Sequence, residues 1–453
     1  MKPAAKIGLL PLAATVFFAV SGGPIGLEPL VQASGLPVAV ALILLAPLLY
    51  AIPSALMTAE LSTMIPEEGG YFVWVSEAMG PFWGFLCGMW TLMYAWVDAA
   101  LYPLMAAKAL AAFAAGPMFS GQSWASQIQQ PGPQFGVAVV FVLAAALLNL
   151  AGIRAVGLTG VTIGVLLLVP FVMMVVWGFS NAPGSGQPVF LQPEKPTSEL
   201  VMAGLVTVIW NYLGWDSAST IAGETKDPRR DFPRALLGAT VLIVLAYLLP
   251  VLAAWRHAPD YRLWEDGSWV TLAGRVGGPN LGTAMFVSQL LSAAGLFMVM
   301  LLTSSRLPMV MARTRRLPAV LAKTFGVNKV PVPAVVLGAA VVTSFVWQGE
   351  GKIEKIMQYD VLLYTAALML EFIALVVLRV RRPEEARPFR VPGGLVGAVL
   401  LGVGPAVVMV LLCADGMGGK GAKEFAIAVG LLALAPAVYG LTEWYRRRVR
   451  PTP

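Results

Sequence analysis

Long apolar runs alternate with short polar interruptions from one end of the chain to the other. Twelve of these runs lie roughly at residues 7–33, 36–62, 82–113, 133–150, 155–179, 199–224, 233–256, 280–305, 331–348, 355–379, 393–413 and 424–445. A helix needs about 20 apolar residues to cross a bilayer. The pattern therefore predicts an all-α integral membrane protein of twelve transmembrane helices, a single transmembrane domain over residues 1–453 with no room for a sizeable soluble domain.

Two runs are interrupted at their centres. The first reads "FFAVSGGPIGLEPL" over 17–30, and its middle is Ser21, Gly22, Gly23, Pro24, Ile25 and Gly26, among the poorest helix-forming strings available. The sixth reads "VTVIWNYLGWDSASTIAGETKDP", with Asn211, Tyr212, Leu213, Gly214, Trp215 and Asp216 at its middle. The breaks stand 190 residues apart, which divides the chain into two halves of five spans each. Five is odd, so the second half enters the membrane from the opposite side, as in an inverted repeat with a broken first helix in each half. The expected boundaries are 1–179 for the first repeat, 199–380 for the inverted second, and 393–446 for two additional helices.

A broken membrane helix needs a reason, because backbone outside a helix must be buried in protein or line a wet cavity. A break frees amides at the start of one half-helix and carbonyls at the end of the other, which act as small fixed dipoles. Pro24 suits the first position of the second half-helix, so amides near Ile25 and Gly26 are expected to face the gap. Carbonyls near Phe18, Ala19 and Val20, and near Ile209, Trp210 and Asn211, face it from the other direction. The expected result is a ligand site with an anion-preferring end and a cation-preferring end. A glycine kink with a packing role would account for one such break, but two at matching positions point to function.

Composition strengthens this picture. The chain is 58% hydrophobic and 12% charged, with a mean hydropathy of +0.76, outside the range of water-soluble domains. With alternating spans and a cytoplasmic N-terminus, 22 of the 31 lysines and arginines fall on the cytoplasmic side and 9 outside. The positive-inside rule then places both termini in the cytoplasm of a multi-pass plasma-membrane protein. The net charge of +7 is this topology signal, spread over short loops, and points to lipid rather than nucleic acid. Lys2, Lys6 and "FAVSG" have the form of a signal peptide, but the apolar run resumes after Gly26. Cys87 and Cys413 both fall inside spans and suggest neither a disulfide nor a metal site. The one histidine, His257, lies in a loop. Clustered ligands or a nucleophile with its base are missing from the sequence, so neither an enzyme nor a cofactor is expected.

A carboxylate inside a span costs a few kcal/mol and marks a candidate site. Asp98 lies in "MYAWVDAALYP", with Tyr94 four residues before it and Tyr102 four after, so all three share one helical face. Ligand contact, proton handling and a buried Asp–Tyr pair are the readings open to it. Asp216 either caps the second half of span six or meets a ligand. Glu28 is a candidate for the entry path or for proton coupling. Glu224 is expected to pair with Lys226, Arg229 and Arg230, while Glu60 and Glu371 read as structural. Trp210, Tyr212 and Trp215 flank the second break as core packing or as a box for a cation.

These residues carry a resemblance. "SGGPIG" is similar to the glycine-rich first break of the amino acid–polyamine–organocation (APC) superfamily. "PEEGGYFVWVSEAMGPFWGF" (66–85) resembles that family's signature after span two, and "RLPMVMARTRRLP" (306–318) resembles its loop after span eight. "VSGGPIGLE", "VDAALYP", "NYLGWDSASTIAGE" and "SAAGLF" are similar to its polyamine-uptake branch. The resemblance implies a leucine-transporter-like five-plus-five fold, with a ligand between the broken helices. It places Tyr94, Asp98, Tyr102, Asn211, Tyr212, Trp215 and Asp216 around that ligand, and Ser21, Gly22, Gly23, Gly26, Trp210 and Gly214 at the two breaks complete the expected substrate site. Some family members use a lysine in span five as a proton-linked stand-in for sodium, and residues 155–179 contain none. A coupling ion is then either sodium, held by span-one carbonyls with Ser288 or Ser292, or a proton on Asp98 or Glu28.

The expected function is alternating-access transport of a polyamine resembling putrescine or spermidine. An L-amino acid permease is the alternative, and a channel or sensor on the same scaffold a more distant one. A diamine gains most from Asp98, whereas an amino acid uses both ends of the site. Nothing in the sequence sets an oligomeric state.

Overall fold

The computed structural model describes residues 6–116, 122–184, 189, 196–348, 353–417 and 422–449. Lys2, Lys195, Lys352, Lys420 and Arg450, which contribute to the charge asymmetry, lie outside the described residues. The described chain is helical, with three isolated β-bridges and no extended strand. Helices α1 (Leu9–Val20) and α2 (Glu28–Ser34) precede α3 (Leu36–Ala46) and α4 (Ile52–Met64). Then come α5 (Tyr71–Met79), α6 (Pro81–Ala114), α7 (Ser123–Gln127), α8 (Pro131–Leu150) and α9 (Ile153–Ser180). After these follow α10 (Thr197–Trp210), α11 (Pro228–Trp255), α12 (Trp269–Arg313), α13 (Val332–Gln348), α14 (Ile353–Arg381), α15 (Gly394–Met417) and α16 (Ala422–Val449).

Among the described residues, nine helical segments are long and apolar enough to cross a membrane. Three shorter apolar helices accompany them: Leu9–Val20, Thr197–Trp210 and Val332–Trp347. Two of the three are the runs in which glycine and proline stop the helix early. Elsewhere proline bends a helix without ending it. Helices α3 and α4 are joined by a π-helical turn over Pro47–Ala51, which is flanked by two residues without an amide donor, Pro47 at its start and Pro53 just beyond its end. Helix α12 is two helices meeting at Gly277 and Gly278, the latter with φ of 80°.

Helix α12 packs against α6 and α9, α14 packs against α6, and α1 is gripped by α9, α11 and α12. The interior is therefore built from the interrupted helices and their neighbours. Helices α15 and α16 bury little of their apolar surface and stand at the periphery, as lipid-facing helices do.

A charged cluster ties one end together. Glu60 is fully buried and bonds the Arg379 guanidinium, while its Oε2 accepts from the Val391 amide at 2.7 Å. Arg387 Nε lies 3.4 Å from Glu60 Oε1. Glu60→Gln would leave two arginines facing no negative charge, a loss of about 3–5 kcal/mol. Thermal unfolding of the purified protein should show a lowered midpoint for this variant. Glu385→Gln, at an exposed pair, should change little.

Candidate functional site

Two helix breaks meet at the centre of the bundle. Helix α1 ends at Val20, and Ser21 to Leu27 leave helical geometry before α2 begins. Opposite, α10 ends at Trp210, residues 211–216 turn, and a 3-10 helix (Ser217–Glu224) follows where an α-helix was expected. Gly214 has φ of 89° and lies so close to the first break that a Cβ there would stand 2.0 Å from the Ala19 carbonyl oxygen. Only glycine combines that backbone with that approach. At Gly22 an added Cβ would stand 2.1 Å from Ser292 Oγ, which itself donates to the Gly22 carbonyl at 2.7 Å.

A small cavity of about 30 Å³ lies between the breaks. Gly22, Tyr94, Asp98, Tyr102, Trp210, Asn211 and Gly214 line it together with Ala19, Ile25 and Leu296. Asp98 is its only carboxylate and both of its oxygens are occupied. Trp210 Nε1 donates to Oδ1 at 3.0 Å, and the Tyr102 hydroxyl donates to Oδ2. Trp210 and Asp98 belong to α10 and α6, which meet only in the folded bundle. Tyr94, on the same face, bonds Ser217 at 3.2 Å.

Other expected residues are placed elsewhere. Tyr212 packs against Tyr247 and donates to the Ile43 carbonyl at 3.2 Å. Trp215 is fully buried and Asp216 accepts from Tyr364 at 2.5 Å. None of these three lines the cavity. The turn after Trp210 rotates successive side chains away from the α10 face, so an i, i+5 aromatic pair does not stay together. Ser21, Gly23 and Gly26 form the backbone behind the wall; the Gly23 amide donates to Ser21 Oγ at 3.1 Å. Ser288 donates to the Leu167 carbonyl at 3.1 Å, so the hydroxyls of Ser288 and Ser292 serve different neighbours.

Glu28 occupies an informative place. It is fully buried, and its Oε2 accepts from the Gly26 amide at 2.7 Å. Pro24 has no amide to offer, and the Leu27 amide is spent on the Pro24 carbonyl. The anion-preferring end of the break is thus filled by the protein's own carboxylate. Its carbonyls are engaged as well: Trp269 Nε1 donates to Pro24 at 2.9 Å, and Asn211 Nδ2 to Gly26 at 3.3 Å.

A larger cavity of about 370 Å³ adjoins the small one, lined by Lys108, Phe113, Thr271 and Gln289 among others. Ile25, Tyr102, Trp210 and Leu296 line both and form the partition. On the opposite side the chain is closed. Ile7 and Lys226 donate their amides to Glu224 and Ile7 carbonyls at 3.0 and 2.8 Å. Glu224 pairs at 2.9 Å with Arg306, which is 1% exposed, instead of with the nearby Lys226, Arg229 and Arg230. Arg313 meets Glu68 at 2.5 Å.

Of the two acids of α14, Glu371 reads as structural in the sequence, and Asp360 was not singled out there. Asp360 and Glu371 are fully buried, and neither oxygen of Asp360 has a hydrogen-bond partner. Asp360 interacts with Asp98, and Glu371 with Asp216. An acid within an apolar span was the available signal for Asp360.

Residues 9–430 match the amino acid permease family. The chain is 33% identical to the polyamine transporter RMV1 of Arabidopsis thaliana over 96% of its own length and 84% of that protein. It is likewise 33% identical to the polyamine transporter PUT1 of Oryza sativa subsp. japonica, over 99% of this chain and 81% of that one. The serine/threonine exchanger SteT of Bacillus subtilis is 23% identical over 75% of each chain. A match over nearly the whole length, with a central cavity between two interrupted helices, makes this chain a membrane transporter of the amino acid permease family.

Proposed function

We propose that the protein moves polyamines of the putrescine and spermidine class across the plasma membrane by alternating access, with both termini cytoplasmic. In this reading twelve membrane helices form one transport domain, with 1–179 and 199–380 as inverted repeats and 393–446 appended. The observation that carries the substrate assignment is the pairing of Asp98 with Glu28. The cavity presents one carboxylate to a ligand, while the amide end that would receive an amino acid's carboxylate is filled by Glu28. A diamine needs the first and has no use for the second. The names of the relatives from Arabidopsis and rice agree with this reading.

The large cavity is the external vestibule, and the Glu224–Arg306 and Glu68–Arg313 pairs hold the cytoplasmic side shut. Tyr102 and Trp210 partition the vestibule from the site. A thermal-shift screen of the purified protein against diamines, polyamines and the twenty amino acids tests the assignment. Stabilisation by diamines and not by amino acids is expected; the reverse result defeats it. Glu28→Ala uncovers the Gly26 amide and should give the variant a response to neutral amino acids that the wild type lacks. A carboxylate on a freed amide is worth about 1.5–3 kcal/mol, or roughly 10- to 150-fold in affinity.

A further inference from the structure

Helix α14 carries titratable groups that the cavity wall does not include. Asp360, Tyr364 and Glu371 recur at i, i+4 and i+11, one face of a helix, spanning about 16 Å at 1.5 Å per residue. That face packs on α6, where the Tyr94 and Tyr364 rings meet edge to face with centroids 4.9 Å apart. Each acid lies four residues from its tyrosine, and Asp360 thereby comes beside Asp98. The titratable groups facing Asp360 are Asp98, Tyr94 and Tyr102, all from α6. Those around Glu371 are Asp216, Tyr50, Tyr71, Cys87 and Tyr364. No lysine, arginine or histidine pairs with either acid among the described residues.

Asp98 and Asp360 are unequal partners. Asp98 receives an indole N–H and a phenol O–H, both of which favour a charge on it. Asp360 receives no donor, and a carboxylate there would be stripped of water with nothing in return. Two neighbouring carboxylates would also repel one another.

We propose that Asp98 and Asp360 hold one proton between them, on Asp360, and that an ammonium group binding at Asp98 expels that proton to water. An arriving positive charge and a proton compete for the same pair of carboxyls. The proton leaves Asp360 as the Asp98–ammonium contact forms, so the local charge is conserved. Linkage is reciprocal: if the amine expels the proton, the proton weakens the amine.

The inference rests on the amine reading above, and one titration separates the two. Putrescine is titrated into the purified wild-type protein by calorimetry at neutral pH, in phosphate and in Tris buffer. Their different ionisation heats report the protons released. The expected result is release of about one proton per bound putrescine, with affinity falling about tenfold for each unit of pH below neutrality. Asp360→Asn should bind putrescine with no release and a flat pH profile, whereas Glu371→Gln, outside the cavity, should keep the wild-type proton count. Wild-type binding without proton release overturns the proposal and leaves the amine reading standing. Equal release from Asp360→Asn, or release lost only in Glu371→Gln, also overturns it. No binding of any diamine to the wild type defeats the amine reading and this inference with it. The wild-type measurement decides even if Asp360→Asn fails to fold.

Discussion

Asp98→Asn should lower affinity for putrescine about 10- to 150-fold, the equivalent of losing one charge-assisted hydrogen bond of about 1.5–3 kcal/mol. The substitution keeps the shape of the side chain but removes its charge. It also turns one acceptor into an amide donor facing either Trp210 Nε1 or the Tyr102 hydroxyl, which now donate to the carboxylate. A donor set against a donor in a buried site costs more than the bond itself. The variant should therefore lose some order at the partition as well as affinity. Binding to wild-type and Asp98→Asn protein, at matched amounts and several pH values, measures the effect. Unchanged affinity with a lost pH dependence would make Asp98 a proton carrier and not an amine contact.

Gly22→Leu should abolish uptake while leaving membrane insertion intact. A single added carbon already overlaps Ser292 Oγ and stands 2.5 Å from Leu296 Cδ1. The remaining carbons of leucine have only the cavity of about 30 Å³ to enter. Overpacking of this kind costs about 1–3 kcal/mol, which a bundle of this size tolerates, but it fills the place where the ligand would lie. Gly23→Leu should also abolish uptake, by a different route. Its nearest neighbours are 3.8 Å away, so there is room, yet φ of 80° is strained for any side chain. Uptake in proteoliposomes, normalised to inserted protein, distinguishes both from simple loss of expression. Normal uptake by either variant would remove the first break from the transport path.

What the sequence revealed was local. The glycines and proline at 21–26 and the glycine at 214 stop helices wherever they stand, so the positions of both breaks were readable. Tyr102 and Asp98 are four apart on one helix, and their bond followed from spacing alone. The Trp210–Asp98 bond joins residues 112 apart, and no periodicity reaches across that distance. Trp215 and Tyr212 lie outside the lining of the small cavity: beyond Trp210 the backbone is no longer helical, so facing could not be counted by residue number. Asp360 and Glu371 acquire meaning only from Asp98 and Asp216 on other helices. Glu224 was recognised as half of an ion pair, but its partner came from α12 and not from the adjacent loop.

The hydrogen bonds from Trp210 and Tyr102 to Asp98 bear on the half of the proposed cycle in which no amine is carried. A carrier that works by exchange alone strands itself when its site is empty, because an unsatisfied charge in the middle of the membrane resists the conformational return. Here the carboxylate has donors of its own when unloaded, supplied by the two residues that separate site from vestibule. On the reading proposed above, the site emptied of amine keeps Asp98 satisfied by these two donors, and its return would carry the proton on Asp360 in place of an amine.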